Sequence, residues 1–365
     1  MKNLFSRTSF SSLYIALILF FLAACSSSGS LKKQNGEFGS QDQDANYSII
    51  YLIHGDADYL YHDSLGRALQ ADRKVLEEAI RVGEQAKSGE VFIFHQRPER
   101  KVLWIFPKKD RRFIHYRAGE RISEKRYSPT GQSDSGTFSA EARLYDEFKS
   151  TGDSIKHRSL LYFGHEIPYE NGKGYYHSLS STYMNTDTFS SGIQSFLPGD
   201  LKKFDLITLS TCNNGSPDMV HALKPHTRYL LASPQNLHLS HIDTEGLFIL
   251  ENRPDVEARE VADKLSKDSY LRLTKSIQTV VSLSVYDMHE VGQNIQGIDS
   301  TYQNYLKSGS AADPGSDNID CTELPFFDQE SVFTEGVSIR YRPPRFGPKA
   351  NKTTHSGWGC KDVDS

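Results

Sequence analysis

The sequence predicts an α/β protein with a mostly parallel central sheet that is covered by helices on both faces. Short apolar runs bounded by turn residues alternate along the chain with amphipathic stretches at helical spacing. This alternation is typical of βαβ units. Parallel strands buried on both faces are rich in apolar residues, as "YSIIYLIH" and "EVFIFHQ" are.

The first half of the predicted domain contains two strands, two helices and a hairpin. Gly89 is a plausible end for the first helix, and Ser139 is the predicted N-cap of the second. Polar, Gly- and Ser-rich residues 118–139 indicate a loop. The predicted elements are a strand over 47–56, a helix over 72–89, a strand over 90–96, a hairpin formed by 101–107 and 111–119, and a helix over 139–152.

The second half repeats the alternation and ends in a different kind of segment. Residues 308–320 have the composition of a linker, and the remainder indicates irregular β structure. The predicted elements are strands over 159–164, 204–210 and 228–233, a short helix from Pro217, a helical region after Pro254, and a strand plus helix over 279–308.

The first residues resemble a targeting segment. Lys2 and Arg7 precede a ten-residue apolar run, Leu13–Leu22, which is too short to span a bilayer. The following "LAAC" and "SSSGS" resemble a bacterial lipobox, in which Cys25 would carry the lipid. We therefore expect a lipoprotein signal peptide over 1–24. An ordinary signal peptide cleaved near the same point is the alternative.

A lipid on Cys25 implies attachment to the bacterial cell envelope. By resemblance to bacterial lipoproteins, Ser26 after the lipid site favours the outer membrane over the inner one. Residues 25–46 are rich in Ser, Gly, Gln and Asp and indicate a flexible tether. We expect a monomer anchored to the membrane.

The net charge excludes one class of partner, and the cysteine count singles out one cysteine. The formal net charge of −4 comes without a basic stripe, so nucleic acid is not an expected partner. Apart from Cys25, the cysteines are Cys212, Cys321 and Cys360. The economical pairing is a disulfide between Cys321 and Cys360, which flank the C-terminal segment. Cys212 is then an unpaired thiol in an exported chain, and this requires a reason.

Reactive residues follow three predicted strands. In open α/β sheets, binding and active sites lie beyond the carboxyl ends of the strands. The three strand exits are His54-Gly55-Asp56, Gly164-His165-Glu166 and Thr211-Cys212-Asn213. A short helix begins soon after Cys212, with Ser216 as its predicted N-cap, and the positive end of its dipole favours a thiolate. His165, 47 residues upstream, is a candidate base for this nucleophile.

Four stretches resemble the clostripain-like cysteine peptidases, a family with the caspase–gingipain fold. They are "YSIIYLIHGDAD", "SLLYFGHE", "FDLITLSTCNNGSPDMVHALKPHTRYLLASPQ" and "TVVSLSVYDMHEV". The resemblance implies a three-layer α/β/α peptidase domain over 47–307, followed by a C-terminal extension over 308–365. By matched position it implies Cys212 as the nucleophile, His165 as the base, and a protein or peptide substrate.

The sequence departs from the family pattern at two positions. Glu166 stands where the family usually has Gly, but its backbone N–H remains, so the amides of Glu166 and Cys212 are the candidate oxyanion hole. Ser210 stands where the family commonly has the Asp that helps to bind Arg or Lys side chains. Specificity for basic residues is therefore not carried over. Ser210, Ser233 and Asp243 are the candidate polar residues of the substrate pocket.

Other functions are weighed against this one. A degenerate relative of the same fold could act as a binding module on the cell surface, and His54 could be the base instead of His165. An α/β-hydrolase elbow is excluded because Ser210 and Asn214 occupy its glycine positions. No cofactor motif is present. Ca²⁺ near Asp56 and Asp58 is a weaker hypothesis than a solvated acidic turn, because the EF-hand spacing is missing.

Overall fold

A computed structural model gives the fold. It describes residues 45–55, 60–62, 68–97, 100–102, 106–108, 111–127, 137–150, 154–170, 184–197, 203–237, 240–308, 317–325, 327 and 335–362. The predicted signal peptide, Cys25, most of the tether, and Asp56 and Asp58 lie outside these residues. Within them, no helix is both long and apolar enough to cross a membrane.

Most strands form one sheet. The strands are β1 (Tyr47–His54), β2 (Leu60–His62), β3 (Ala68–Gln70), β4 (Gly89–Gln96), β5 (Arg100–Val102), β6 (Phe106–Lys108), β7 (Arg111–Arg117), β8 (Glu120–Tyr127), β9 (His157–Phe163), β10 (Phe204–Ser210), β11 (Thr227–Ala232), β12 (Val281–Asp287), β13 (Ile319–Asp320), β14 (Val337–Arg342) and β15 (Gly359–Cys360). Nine of them pair in the order β14-β12-β11-β10-β9-β1-β4-β7-β8. The five central strands, β11 to β4 in this order, are parallel, and each edge adds two antiparallel strands.

Helices cover both faces of the sheet. They are α1 (Ala71–Gln85), α2 (Ser139–Phe148), α3 (Thr186–Gln194), α4 (Pro217–Leu223), α5 (Ile249–Asn252), α6 (Ala258–Ser276) and α7 (Ile295–Ser308). Side chains of α2, α3, α4 and α7 pack in one apolar core, and side chains of α1 and α6 pack in another. Strand β1 contributes Ile50 and Leu52 to the first core and Ile49, Tyr51 and Ile53 to the second. This alternation follows from the two-residue period of a strand, and the predicted three-layer arrangement is confirmed.

The prediction of a loop over 118–139 is wrong for its first part. Residues 120–127 form β8, which pairs with β7 across a two-residue turn. Ala118 and Gly119 both have positive φ, 52° and 75°, as a type I′ hairpin turn requires. The strand is missing from the sequence prediction because it lies at the sheet edge with mostly exposed polar residues, and therefore has no apolar pattern.

The predicted partner of β7 and the predicted cap of α2 are also wrong. Strand β7 pairs with β4 and β8, whereas β5 and β6 pair with each other. Helix α2 begins at Ser139, but its N-cap is Phe138, which has a left-handed backbone with φ of 63° and makes no side-chain capping bond. Burial of the Phe138 ring in the first core accounts for this choice, because the side chain is 4% exposed.

The C-terminal segment completes the sheet and carries the predicted disulfide. Strand β14 pairs with β12 at the sheet edge, and the described residues, which begin at residue 45, belong to a single compact unit. Cys321 and Cys360 are bonded to each other, which confirms the predicted pairing. Cys212, the other described cysteine, is not part of this disulfide. The domain boundary near residue 307 stays a prediction.

Candidate active site

His165 and Cys212 follow neighbouring parallel strands. In the register of β9 and β10, Phe163 is paired with Ser210. Each of the two candidate residues comes two positions after this last pair. Both strands end on the same side of the sheet, so the predicted base and the predicted nucleophile follow adjacent strand ends. Both side chains are half-buried.

The thiol of Cys212 faces a small cavity between the strand exits and the chain after β11. Its Sγ donates a hydrogen bond to Oδ1 of Asn236, at 3.1 Å. The cavity therefore borders the sulfur of the candidate nucleophile. Its lining residues are Phe163, Gly164, Ser210, Thr211, Cys212, Leu237 and Ser240.

The loop after Cys212 has a left-handed residue and a tightly enclosed glycine. Asn213 has φ of 58°, a conformation that Asn adopts more readily than most residues. A Cβ on Gly215 would lie 2.6 Å from the backbone nitrogen of Pro234. Gly215 also donates its N–H to the carbonyl of Ser233, at 2.8 Å. The loop is therefore seated directly on the backbone that follows β11. Helix α4 then begins at Pro217 with Ser216 as its N-cap, as predicted.

Asn214 connects the loop of the nucleophile to the loop of the histidine. Its Oδ1 accepts hydrogen bonds from the backbone N–H of Ile167 and the hydroxyl of Thr211, at 2.9 and 2.7 Å. Its Nδ2 donates to the carbonyl of Ile167, at 2.9 Å. The side chain is 2% exposed, so these bonds are sheltered from water. Sequence reasoning missed this role. The Asn-Asn pair directly after the cysteine is the one sequence feature that could have suggested this role.

Glu166 turns its carboxylate towards two partners. Oε2 accepts a hydrogen bond from Nδ2 of Asn213 at 2.6 Å, and Oε1 lies 3.0 Å from Nζ of Lys361. Burial raises the pKa of Glu166, and the Lys361 cation and the Asn213 hydrogen bond oppose that shift. An ammonium group therefore accompanies the negative charge beside the candidate oxyanion hole. Glu166, which stands where the family usually has Gly, therefore does not add an uncompensated negative charge at this position.

The three predicted pocket residues have different positions. Ser210 lines the cavity, and its Oγ accepts the N–H of Ile242 at 2.8 Å. Ser233 is completely buried, and its hydroxyl faces the carbonyls of Gln235 and Ser282. Asp243 pairs with Arg272 and is not among the cavity-lining residues. Of the three, Ser210 is the one that the cavity contains.

His54, the alternative base, lies one strand further away. It ends β1, whose neighbours are β9 and β4 and not the strand that carries Cys212. Its ring is 5% exposed, and Nδ1 lies 3.2 Å from the hydroxyl of Tyr162. Burial, together with the charge of Arg111, holds the pKa of His54 well below its usual range. This position favours His165 over His54 as the partner of Cys212.

One group of side chains among the described residues has the spacing of metal ligands. Ligand atoms of Glu78, His241 and Asp243 all lie within 4.8 Å of one another. However, His241 already bonds Glu78 at 2.7 Å, and the Arg272 guanidinium holds Asp243 at 2.8 Å. A cation here would have to displace an arginine. The group is therefore best described as an ion-pair network behind the cavity.

Comparison with known proteins finds a family match over part of the chain and a shared fold. Residues 170–332 match the Clostripain family, a range that contains Cys212 and begins just after His165. No curated protein matches the sequence.

Two solved structures are similar to this one. An inactive zymogen of a C11 protease from Parabacteroides distasonis superposes with a TM-score of 0.53 at 13% identity, over 88% of this chain and 93% of that chain. A secreted C11 cysteine protease from Bacteroides thetaiotaomicron, iotapain, gives 0.55 at 13% identity, over 88% and 94%. The predicted caspase-like architecture is confirmed. Residues 170–332 are therefore similar to the clostripain family, and the fold of the chain is similar to that of these two cysteine proteases.

Proposed function

We propose that the protein hydrolyses peptide bonds through a catalytic dyad in which Cys212 is the nucleophile and His165 is the base. The observation that carries this proposal is the register of β9 and β10, which places the two residues after adjacent strand ends on the same side of the sheet. A small cavity beside the thiol, where the substrate carbonyl would approach, supports the proposal. The family relationship supports the same reaction.

In the proposed first step, His165 takes the thiol proton and Sγ of Cys212 forms a bond to the substrate carbonyl carbon. The carbonyl oxygen becomes an oxyanion, for which the backbone amides of Glu166 and Cys212 are the candidate donors. His165 then returns the proton to the leaving amine as the C–N bond breaks. The products of this step are the free amine and a thioester on Cys212.

In the second step, His165 takes a proton from water while the water oxygen attacks the thioester carbonyl. The C–S bond breaks, the carboxylic acid leaves, and the thiol recovers its proton. The Asn214 bridge contributes by fixing the distance between the two loops that carry the dyad. Fixing reacting groups in this way supplies a large part of enzymatic rate enhancement.

A thiol-reactive peptidyl electrophile tests the proposal. Wild-type protein should react saturably at Cys212, and His165→Ala should reduce the rate of that reaction by about 100-fold or more. His289→Ala, which changes an exposed histidine on the loop after β12, is the matched control and should react like wild type. Cys212→Ala should lose both labelling and peptide hydrolysis.

Labelling that is slow, unsaturable and indifferent to His165→Ala would contradict the dyad. Together with undetectable hydrolysis, it would favour a protein that keeps the fold as a binding module. Peptide mapping of the labelled wild-type protein identifies the modified cysteine.

A further inference from the structure

Two short stretches of the C-terminal segment lie against the loop of the nucleophile. They are residues 317–321 and 358–361, which we call the C-terminal clamp. Strands β13 and β15 pair inside the clamp, with Ile319 opposite Cys360. The disulfide between Cys321 and Cys360 joins the same two stretches. The clamp is therefore one linked unit, although more than 35 residues separate its halves.

The clamp bonds the main chain of the nucleophile loop. Nδ2 of Asn318 donates to the carbonyl of Asn213 at 3.0 Å, and the N–H of Asn318 donates to Oδ1 of Asn213 at 3.3 Å. The N–H of Gly359 donates to the carbonyl of Gly215 at 2.8 Å. Asn318 and Asn213 are 3% and 5% exposed. Buried hydrogen bonds of this kind are costly to break, so the loop is fixed on both sides of Asn214.

The clamp also reaches the residue after the candidate base. Lys361 and Asn213 bind different carboxylate oxygens of Glu166, at 3.0 and 2.6 Å. The side chains of Lys361 and Glu166 are 16% and 25% exposed. Glu166 is therefore held by a cation from the clamp and by an amide from the nucleophile loop. The backbone amide of Glu166, a candidate oxyanion donor, belongs to the same residue.

A third contact reaches the thiol through one intermediate. Oδ1 of Asp317 accepts a hydrogen bond from Nδ2 of Asn236 at 3.0 Å. This bond orients the Asn236 amide so that its oxygen, rather than its nitrogen, faces the sulfur of Cys212. Gly359 packs so closely that a Cβ there would lie 1.9 Å from the carbonyl oxygen of Pro234. The clamp thus contacts the chain after β11 at both Asn236 and Pro234.

We infer that Asn318 and Lys361 of the C-terminal clamp are positioning residues for the peptidase site. The inference rests on the proposed function. Neither residue is among those lining the cavity, so they act through Asn213 and Glu166 rather than on the substrate. Their contacts hold the loop of Cys212 and the Glu166 amide in one fixed relation. Small misplacements of reacting groups cost large factors in rate, so loss of these contacts lowers kcat more than it changes KM.

The test is a set of variants of the full chain assayed on one peptide substrate. Lys361→Met keeps the length of the side chain and removes its charge. It should lower kcat by about 10- to 100-fold and leave KM within about twofold. Lys361→Arg restores a cation for Glu166 and should recover most of kcat. Asn318→Ala should lower kcat in the same way as Lys361→Met.

Lys349→Met is the matched control. Lys349 lies on the same C-terminal segment and pairs with Glu323, away from the nucleophile loop. This variant should keep wild-type kcat and KM. Thermal unfolding of each variant checks that the chain is folded, and if Asn318→Ala does not fold, the Lys361 series decides.

Several results would overturn the inference and leave the proposed function intact. They are wild-type kcat in folded Lys361→Met, a loss that Lys361→Arg does not recover, a loss equalled by Lys349→Met, or a change confined to KM. Failure of the proposed function looks different, because wild-type Cys212 would then not react with a peptidyl electrophile. In that case the positioning of a peptidase site by the clamp is rejected as well.

Discussion

Nε of Arg272 lies 2.8 Å from both carboxylate oxygens of Asp243. The same guanidinium donates to the hydroxyl of Ser240, which lines the cavity beside Cys212, at 2.9 Å. The Asp243 carboxylate is therefore already paired. None of the seven described residues that line the cavity is acidic.

The first prediction concerns the residue before the cleaved bond. A buried cationic side chain needs a paired anion, since breaking such a pair costs about 3–5 kcal/mol. The hydroxyl of Ser210 cannot supply that charge, and Asp243 is held by Arg272. We expect cleavage after neutral residues as well as after Arg or Lys. Matched substrates that differ only at this residue measure the preference, and more than about a hundredfold in favour of Arg, or roughly 3 kcal/mol, contradicts the prediction.

A gain-of-function variant sharpens this comparison. In Ser210→Asp a carboxylate oxygen can still accept the N–H of Ile242, so the backbone contact survives. The new charge lies in the cavity wall. We expect kcat/KM for an Arg substrate to rise relative to its neutral counterpart by about tenfold or more. An unchanged ratio would show that the side chain before the cleaved bond binds elsewhere.

The sequence predicted the central strands, the cysteine at the end of β10 and the disulfide because each has a local signal. A buried strand is visible as an apolar run, and the candidate nucleophile is visible as a cysteine directly after such a run. The disulfide is visible because two cysteines flank the C-terminal segment and the third does not. The strand β8 has no such signal, since its residues are mostly exposed. It depends on the turn at Ala118 and Gly119 and on hydrogen bonds to β7.

The contacts that hold the site together could not be predicted for a different reason. Asn213 and Asn318 are 105 residues apart, and Asn214 and Ile167 are 47 apart. Asn and Lys occur at many surface positions, so their types carry no specific signal. Only the fold shows that two buried amides face each other. The ion pair between Glu166 and Lys361 likewise joins residues that are distant in sequence.

The second prediction concerns the disulfide of the clamp. Cys321 and Cys360 are separated by 39 residues and are both completely buried. For a loop of this length, chain-entropy arithmetic gives about 3–4 kcal/mol of stabilisation. We expect Cys321→Ala/Cys360→Ala to lose about that much free energy of unfolding in non-reducing urea titrations. Cys212→Ala, which leaves the disulfide intact, is the control and should lose far less.

The third prediction concerns the N-terminal cysteine. The sequence "LAAC" followed by Ser26 supports lipidation of Cys25 and an outer-membrane location. Cys25→Ala should therefore move the protein from the membrane fraction to the soluble fraction. Cys212→Ala should stay membrane-bound, because it keeps Cys25 and we expect no lipid on Cys212. Equal membrane association of Cys25→Ala and wild type would show that the anchor assignment is wrong.

The last prediction concerns His115, a buried histidine of β7. Its ring is 0% exposed and stacks on Phe92 at 4.3 Å, and neither nitrogen has a hydrogen-bond partner among the described residues. The Glu90 carboxylate is 3.9 Å away, which is too far for a hydrogen bond. Burial, with the charge of Arg117, lowers the pKa of His115 to about 3.

The sign of the pH effect follows from that direction. The unfolded chain binds a proton at His115 near pH 6.5, whereas the folded chain does not until about pH 3. The destabilising contribution of His115 is therefore small above pH 6.5, and it grows as the pH decreases from there towards 3. At pH 5 this one histidine lowers the free energy of unfolding by about 2 kcal/mol.

His115→Phe keeps a flat ring against Phe92 and removes the proton site. We expect urea titrations at pH 8 and pH 5 to differ by about 2 kcal/mol less in this variant than in wild type. The exposed His289→Gln should leave the difference unchanged, and parallel pH dependences for wild type and His115→Phe would mean that His115 is not held neutral by the fold.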